Sequence, residues 1–168
     1  DDVTDALMDV QDSVRNARWV EADSLHLTLA FLGECTPTQL TDLDTELERL
    51  RSDPFDLKIT GVGAFGGARP HTLFAGVEAS EPLTRLHAKI GRVIRECGIV
   101  VERRKFHPHV TLARCGGGVI PGQALLWTTA HARLSVPPFT VHGFGIVRSD
   151  LGPGAPIYTE LVKYPFSR

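Results

Sequence analysis

"SLHLTLAFLG" (residues 24–33) and "HPHVTLAR" (residues 107–114) decide how this chain is read. In the first stretch Leu25, Leu27, Leu29 and Phe31 alternate with a second set that opens with His26 and Thr28. Strand side chains point to opposite faces with a period of two, so a strand over 25–32 puts His26 and Thr28 on one face. One His-x-Thr by itself is a solvated pair on a half-exposed strand. The second stretch repeats it: His109-Val110-Thr111-Leu112 answers His26-Leu27-Thr28-Leu29.

Outward from these stretches, the elements recur in one order. Val3, Leu7, Val10 and Val14 predict a helix over 3–17. "TPTQLTDLDTELERL" carries a capping box, Thr36 with Gln39, and a Leu40, Leu43, Leu47, Leu50 stripe. "FDLKITGVGAF" (55–65) reads as a strand, "GGARP" as a turn and "HTLFAGV" (71–77) as a strand. The second half opens with a helix over 82–97, its buried side Leu83, Leu86, Ile90, Val93 and Cys97 and its stop at Gly98. Strand 107–114, a helix over 121–134, strand 137–147, the turn "SDLGPGAP" and strand 157–164 follow.

The offset between the halves is nearly constant. His26 and His109 differ by 83 positions, and Pro54-Phe55 and Pro138-Phe139 by 84. The chain of 168 residues is therefore expected to be a single domain with an internal repeat, about 1–80 and 81–168. Strand 71–77 precedes the second helix, so the repeat also predicts a counterpart strand ahead of residue 1.

Composition excludes several classes. Hydrophobic residues make up 42% and charged residues 23%, ordinary for a folded protein, with no run long enough to span a membrane. The three cysteines, Cys35, Cys97 and Cys115, are odd in number and far apart, which disfavours a disulfide framework and makes the reducing cytoplasm the default location. A net charge of -2 argues against a protein that coats long nucleic acid, but not against a pocket for one terminal phosphate.

Two repeats related by a pseudo-twofold can bring the two motif strands side by side. Two histidines and two threonines then face one cleft. A phosphate needs a base on one side, an acid on the other and donors to its non-bridging oxygens, and this quartet supplies all of them.

These motifs with their flanks, "RWVEADSLHLTLAFLGE", "FGGARPHTLFAGV", "KFHPHVTLAR" and "GPGAPIYTEL", resemble the two-histidine (2H) phosphoesterase superfamily. Within it the chain is most similar to the bacterial and archaeal RNA 2',3'-cyclic phosphodiesterases once called 2'-5' RNA ligases. The resemblance covers essentially the whole chain. It implies an α+β fold of two pseudo-symmetric lobes, with antiparallel sheets and outer helices around a central cleft. It implies hydrolysis of an RNA 2',3'-cyclic phosphate end, for instance on tRNA fragments, to a 2'-phosphate by a cytoplasmic monomer. His26 and His109 would be catalytic, His26 as proton donor and His109 as acceptor, although the repeat makes them nearly equivalent. Thr28 and Thr111 would hold the phosphate oxygens, and Arg114 would contact the phosphate. No metal and no cofactor are implied, and no membrane is involved.

Other readings stay open: ATP-independent 2'-5' ligation, another small 2'-linked phosphodiester substrate, or a nucleotide- or RNA-binding module without turnover. His107 with His109 forms a metal-like H-x-H, but no carboxylate stands at ligand spacing. His71, His87, His131 and His142 read as surface or half-buried residues. Phe65, Tyr158 and Arg148 lie near turns that could border the cleft, with core packing as the alternative. Arg103, Arg104 and Lys105 form a short basic run just before the second motif that could attract an RNA backbone, with a solvated edge as the alternative.

Overall fold

The computed structural model describes residues 1–117, 120–153 and 156–167. Gly154 and Ala155, part of the turn expected at 149–156, lie outside these residues.

The first helix, α1 (Asp2–Asp9), is capped by the Asp1 carboxylate, which accepts from the Thr4 amide at 2.8 Å. It is much shorter than the expected 3–17. Past Val10 the backbone turns left-handed at Ser13 (φ 60°) and Asn16 (φ 64°), and a strand follows, β1 (Ala17–Trp19). Val10 and Val14 are still buried. Their spacing imitates a helix because the turn folds both side chains back onto the core. The second helix, α2 (Pro37–Glu48), keeps the expected capping box in both directions, with Leu43 and Leu47 buried.

The expected strand 55–65 is two strands, β2 (Phe55–Leu57) and β3 (Ile59–Phe65), followed by β4 (Thr72–Val77). The third helix, α3 (Glu81–Glu96), buries Leu83, Leu86, Ile90 and Ile94 and ends at Gly98, whose φ of 70° suits a helix stop. Ile94, absent from the expected stripe, is among the most enclosed side chains. Then come β5 (His109–Cys115), α4 (Pro121–Ala130, shorter than the expected 121–134), β6 (Phe139–Val141), β7 (Gly143–Asp150) and β8 (Ile157–Pro165). The expected strand 137–147 breaks at His142 as 55–65 breaks at Lys58, 84 positions apart.

The reason for both breaks is a change of partner. β3 pairs with β4, and β7 with β8, while β2 and β6 leave their own hairpins and pair with each other. In that pairing Asp56 stands opposite Thr140, its own counterpart in the repeat, and the Thr140 hydroxyl donates to Asp56 Oδ1 at 2.6 Å. Counterparts that pair with each other are the mark of a twofold axis.

The strand expected over 25–32 is not a strand. Among the described residues only Leu27 bridges, antiparallel, to Val110, and Phe31 is 78% exposed instead of lying on an apolar face. β1 runs along the edge of β5, and the Val20 amide still donates to Leu112 O. The chain then leaves the edge through a 3-10 turn at Ala22–Ser24 and returns for the single bridge. Among the described residues no strand pairs along its other side, so no ladder forms.

The largest sheet, in the order β1-β5-β4-β3, mixes the repeats: β5 comes from the second half and the other three strands from the first. The architecture is α+β with antiparallel sheets, as expected. Its core is one cluster fed by both halves, with Leu43, Ile59, Leu73, Leu83, Ile94 and Leu112 fully enclosed. No helix among the described residues is long and apolar enough to cross a membrane.

Candidate active site

The Leu27–Val110 bridge carries the site. In an antiparallel register this pair places His26 opposite Thr111 and Thr28 opposite His109. Leu27 and Val110 are counterparts in the repeat, so the same pseudo-twofold that relates Asp56 to Thr140 runs between the motifs. Facing pairs have Cβ atoms about 4.5–5.5 Å apart, so both His-x-Thr units open onto one small area.

The two histidines are held in the same way. His26 Nδ1 bonds Ser24 O at 2.6 Å, and His109 Nδ1 bonds His107 O at 2.7 Å. A carbonyl only accepts, so each Nδ1 must carry a proton. The neutral ring therefore presents its lone pair at Nε2, and the cation presents an N–H at the same atom. Neither Nε2 makes a hydrogen bond among the described residues.

Aromatic rings steady both imidazoles. Tyr158 on β8 meets His26 edge-on at 4.7 Å between centroids. Phe65 and Phe74, stacked at 4.2 Å, meet His109 edge-on at 5.0 and 5.4 Å. Phe65 and Tyr158 are both half-buried against the histidines. His107 touches the same two phenylalanines, with its ring 6.1 Å from that of His109. Among the described residues no three His, Cys, Asp or Glu side chains converge as metal ligands.

A β-bulge shapes the other end of the site. Phe74 pairs with Thr111 and Leu73 with Ala113, which leaves Leu112 as an extra residue. Leu112 and Ala113 both point into the core at 0% exposure, and the alternation beyond them is reversed. Arg114, five residues from His109, would lie on the opposite face of a regular strand. The bulge returns it to the face of His109 and Thr111, opposite Thr72 on β4 and Arg18 on β1. Arg114 Nη1 donates to Thr72 Oγ1 at 3.4 Å, and the buried Thr72 hydroxyl also bonds His71 Nδ1 at 2.9 Å. Arg18 and Thr72 escaped the sequence reading. Arg18 fell at the edge of what read as a helix, and nothing in the pattern of Thr72 marks it.

The remaining candidates lie elsewhere or are engaged. Arg148 pairs with Asp150 at 3.0 Å, and Arg104 pairs with Glu102 at 2.7 Å. His131 Nε2 meets Asp12 Oδ1 at 3.1 Å. His87 stacks on Phe106 at 3.9 Å, and burial holds its pKa below the ordinary histidine value.

Comparison with known proteins places the chain in a family. A protein of Thermus thermophilus named RNA 2',3'-cyclic phosphodiesterase is 34% identical over 98% of this chain and 84% of its own length. One of the same name from Geobacillus stearothermophilus is 29% identical over 94% of this chain, but the chain spans only half of that relative. The matches to the Bacillus subtilis and Aeropyrum pernix proteins of that name also span little more than half of those proteins, 55% and 57%. A solved structure of a Thermus thermophilus protein superposes with a TM-score of 0.79 at 30% identity, covering 98% of this chain and 91% of the other. Escherichia coli LigT solved with 3'-AMP gives 0.71 at 26% identity, covering 91% and 83%. The family model described as the 2'-5' RNA ligase superfamily matches residues 6–153, and the chain belongs to that superfamily.

Proposed function

We infer that the chain hydrolyses the 2',3'-cyclic phosphate at an RNA end to a 2'-phosphate, with both repeats, about 1–80 and 81–168, working as one domain. The observation that carries this reading is the shared register of the motifs. Two imidazoles, each with Nδ1 tied to a carbonyl and Nε2 without a partner among the described residues, open onto one patch with two threonines.

One Nε2, unprotonated, takes a proton from water as the water oxygen bonds to phosphorus. The other Nε2, protonated, gives its proton to the 3' oxygen as the P–O3' bond breaks. Thr28 and Thr111 donate to the non-bridging oxygens, where negative charge gathers. The family pattern makes His26 the donor and His109 the acceptor. Relatives named RNA 2',3'-cyclic phosphodiesterase support the reaction class. The enzyme is expected to act as a cytoplasmic monomer without a cofactor. 2'-5' joining is the same chemistry reversed.

The test is turnover of adenosine 2',3'-cyclic phosphate by the parent, His26→Ala, His109→Ala and the double variant. Each single change should cost orders of magnitude, and the double variant should be little worse than the poorer single one, because the residues act as a unit. The parent should show a bell-shaped pH–rate curve, since one imidazole must be neutral while the other is charged. Near-parental turnover by His26→Ala would sink the paired mechanism.

A further inference from the structure

Thr72 is the only buried polar residue among the described residues, at 2% exposure. Burying a hydroxyl costs free energy unless it is hydrogen-bonded, and a valine would fill the same space in β4 without that cost. The hydroxyl stands opposite Arg114 on β5 and Phe65 on β3.

Its two partners fix the direction of its bonds. Arg114 Nη1 donates to Thr72 Oγ1 at 3.4 Å, since a guanidinium only donates. The hydroxyl proton then goes to the other partner, His71 Nδ1 at 2.9 Å, because no other acceptor bonds it among the described residues. The chain runs one way, from guanidinium to hydroxyl to imidazole, and donation to His71 makes Oγ1 a better acceptor for Arg114. His71 is itself held by its backbone: its amide donates to Phe65 O at 2.9 Å, and its carbonyl accepts from the Cys115 amide at 2.8 Å. Gly66, with a φ of 111°, lets the loop close on it, since a side chain there would run into Arg69 O and the His71 ring.

Arg114 is a group that needs holding. With Leu112 in the bulge, it is the next residue after Thr111 on the face of the histidines, and its long side chain can bring the guanidinium to the phosphate that Thr28 and Thr111 would hold. On its other side stands Arg18 of β1, whose like charge repels it. Among the described residues no carboxylate pairs with Arg114. Thr72 engages Nη1 and leaves Nε and Nη2 to grip two phosphate oxygens side by side.

We propose that Thr72 and His71 are positioning residues, which hold the Arg114 guanidinium on the phosphate that reacts at the histidines. The proposal rests on the cyclic-phosphate reading. Charge on the non-bridging oxygens grows in the transition state, so a guanidinium already in place acts on kcat more than on KM.

The test is a double-mutant cycle on adenosine 2',3'-cyclic phosphate. Thr72→Val keeps the shape and loses the hydroxyl, and should lower kcat about 3–10-fold, the ordering cost of one long side chain, with KM little changed. Thr72→Ser should restore most of the rate. His71→Phe should lose part of it, and His71→Asn, whose amide oxygen can stand in for Nδ1, should lose less. In an Arg114→Gln background Thr72→Val should change kcat no further, because the group it positions is gone. The same fractional loss with and without Arg114, or a parental kcat in Thr72→Val, would overturn the proposal. Nitrogen NMR reads the anchoring without turnover: rotation of the Arg114 guanidinium should be slowed in the parent and freed in Thr72→Val. If the parent turned over nothing, the cyclic-phosphate reading would fall. Freed rotation in Thr72→Val would then still uphold the anchoring, and equal rotation in the two proteins would remove it.

Discussion

Gly63 on β3 faces Phe74 on β4, and the space between them is filled by the ring. A Cβ at position 63 would stand at or within 3.0 Å of three ring carbons of Phe74. Carbon contacts settle at about 3.5–4.0 Å, so in Gly63→Ala the ring must retreat by about 1 Å. It has little room. Phe74 is 8% exposed, stacks on Phe65 at 4.2 Å and leans on His109 at 5.4 Å. Overpacking of this kind costs about 1–3 kcal/mol of stability. The larger effect should be on turnover: a reacting group misplaced by about 1 Å can lose ~10²-fold in rate. We expect Gly63→Ala to stay folded, to unfold at a lower denaturant midpoint, and to lose ~10²-fold in kcat on adenosine 2',3'-cyclic phosphate. Adding Phe74→Leu, which removes the clashing ring carbons, should recover part of the stability but not the rate, because the ring that leans on His109 is then gone. Parental kcat in a destabilised Gly63→Ala would refute the idea that the phenylalanine pair positions His109.

Thr28→Val and Thr111→Val keep the β-branched shape and lose the hydroxyl, so each should slow turnover about 10²-fold with little change in thermal midpoint; rates within a few-fold of the parent would reduce them to backbone roles. Chelator-treated protein should keep its activity, and a loss reversed by one divalent metal would replace the metal-free mechanism. The Tyr164 hydroxyl donates to Asp44 Oδ1 at 2.6 Å, and burial, helped by that bond, raises its pKa above the ordinary tyrosine value. A raised pKa means that the protonated form is favoured by folding, so its contribution is full below the unfolded value near pH ~10 and is lost as pH climbs through the folded one. Tyr164→Phe should cost about 1.5–3 kcal/mol at neutral pH in urea titrations, a gap that narrows above pH ~10; a gap constant up to pH ~11 would show that the hydroxyl contributes nothing through its proton.

The face proposed as catalytic was legible because it rests on parity alone. His26 with Thr28 and His109 with Thr111 are two residues apart, and any extended backbone, paired or not, puts them on one side. Ladder formation was not legible. The alternation of 25–32 is strand-like, but a strand exists only where a neighbour supplies hydrogen bonds, and among the described residues this segment finds one at Leu27 alone. The breaks at Lys58 and His142 were hidden for the opposite reason: the chain stays extended and changes partner, which leaves no trace in the side chains. Arg114 shows the limit most clearly. Its odd distance from His109 points to the wrong face, and only the extra residue at Leu112 corrects it. Arg18 inherited the misreading of 3–17, since a residue assigned to the edge of a helix was never weighed as a strand neighbour of Arg114.

The axis between Leu27 and Val110 carries a consequence for regiochemistry. A ribose 2',3'-cyclic phosphate presents phosphorus with two ester oxygens that differ only in which carbon bears them. A quartet that maps onto itself by a half-turn offers each oxygen the same acid, the same base and the same hydroxyl. Such a quartet breaks a ring without choosing which bond to break. The choice must come from whatever departs from the half-turn. Around these histidines the departures are Tyr158 beside His26, the Phe65–Phe74 pair beside His109, and two arginines on one flank only. Changing those neighbours, and not the four residues of the motifs, is what should shift the ratio of 2'- to 3'-phosphate in the product.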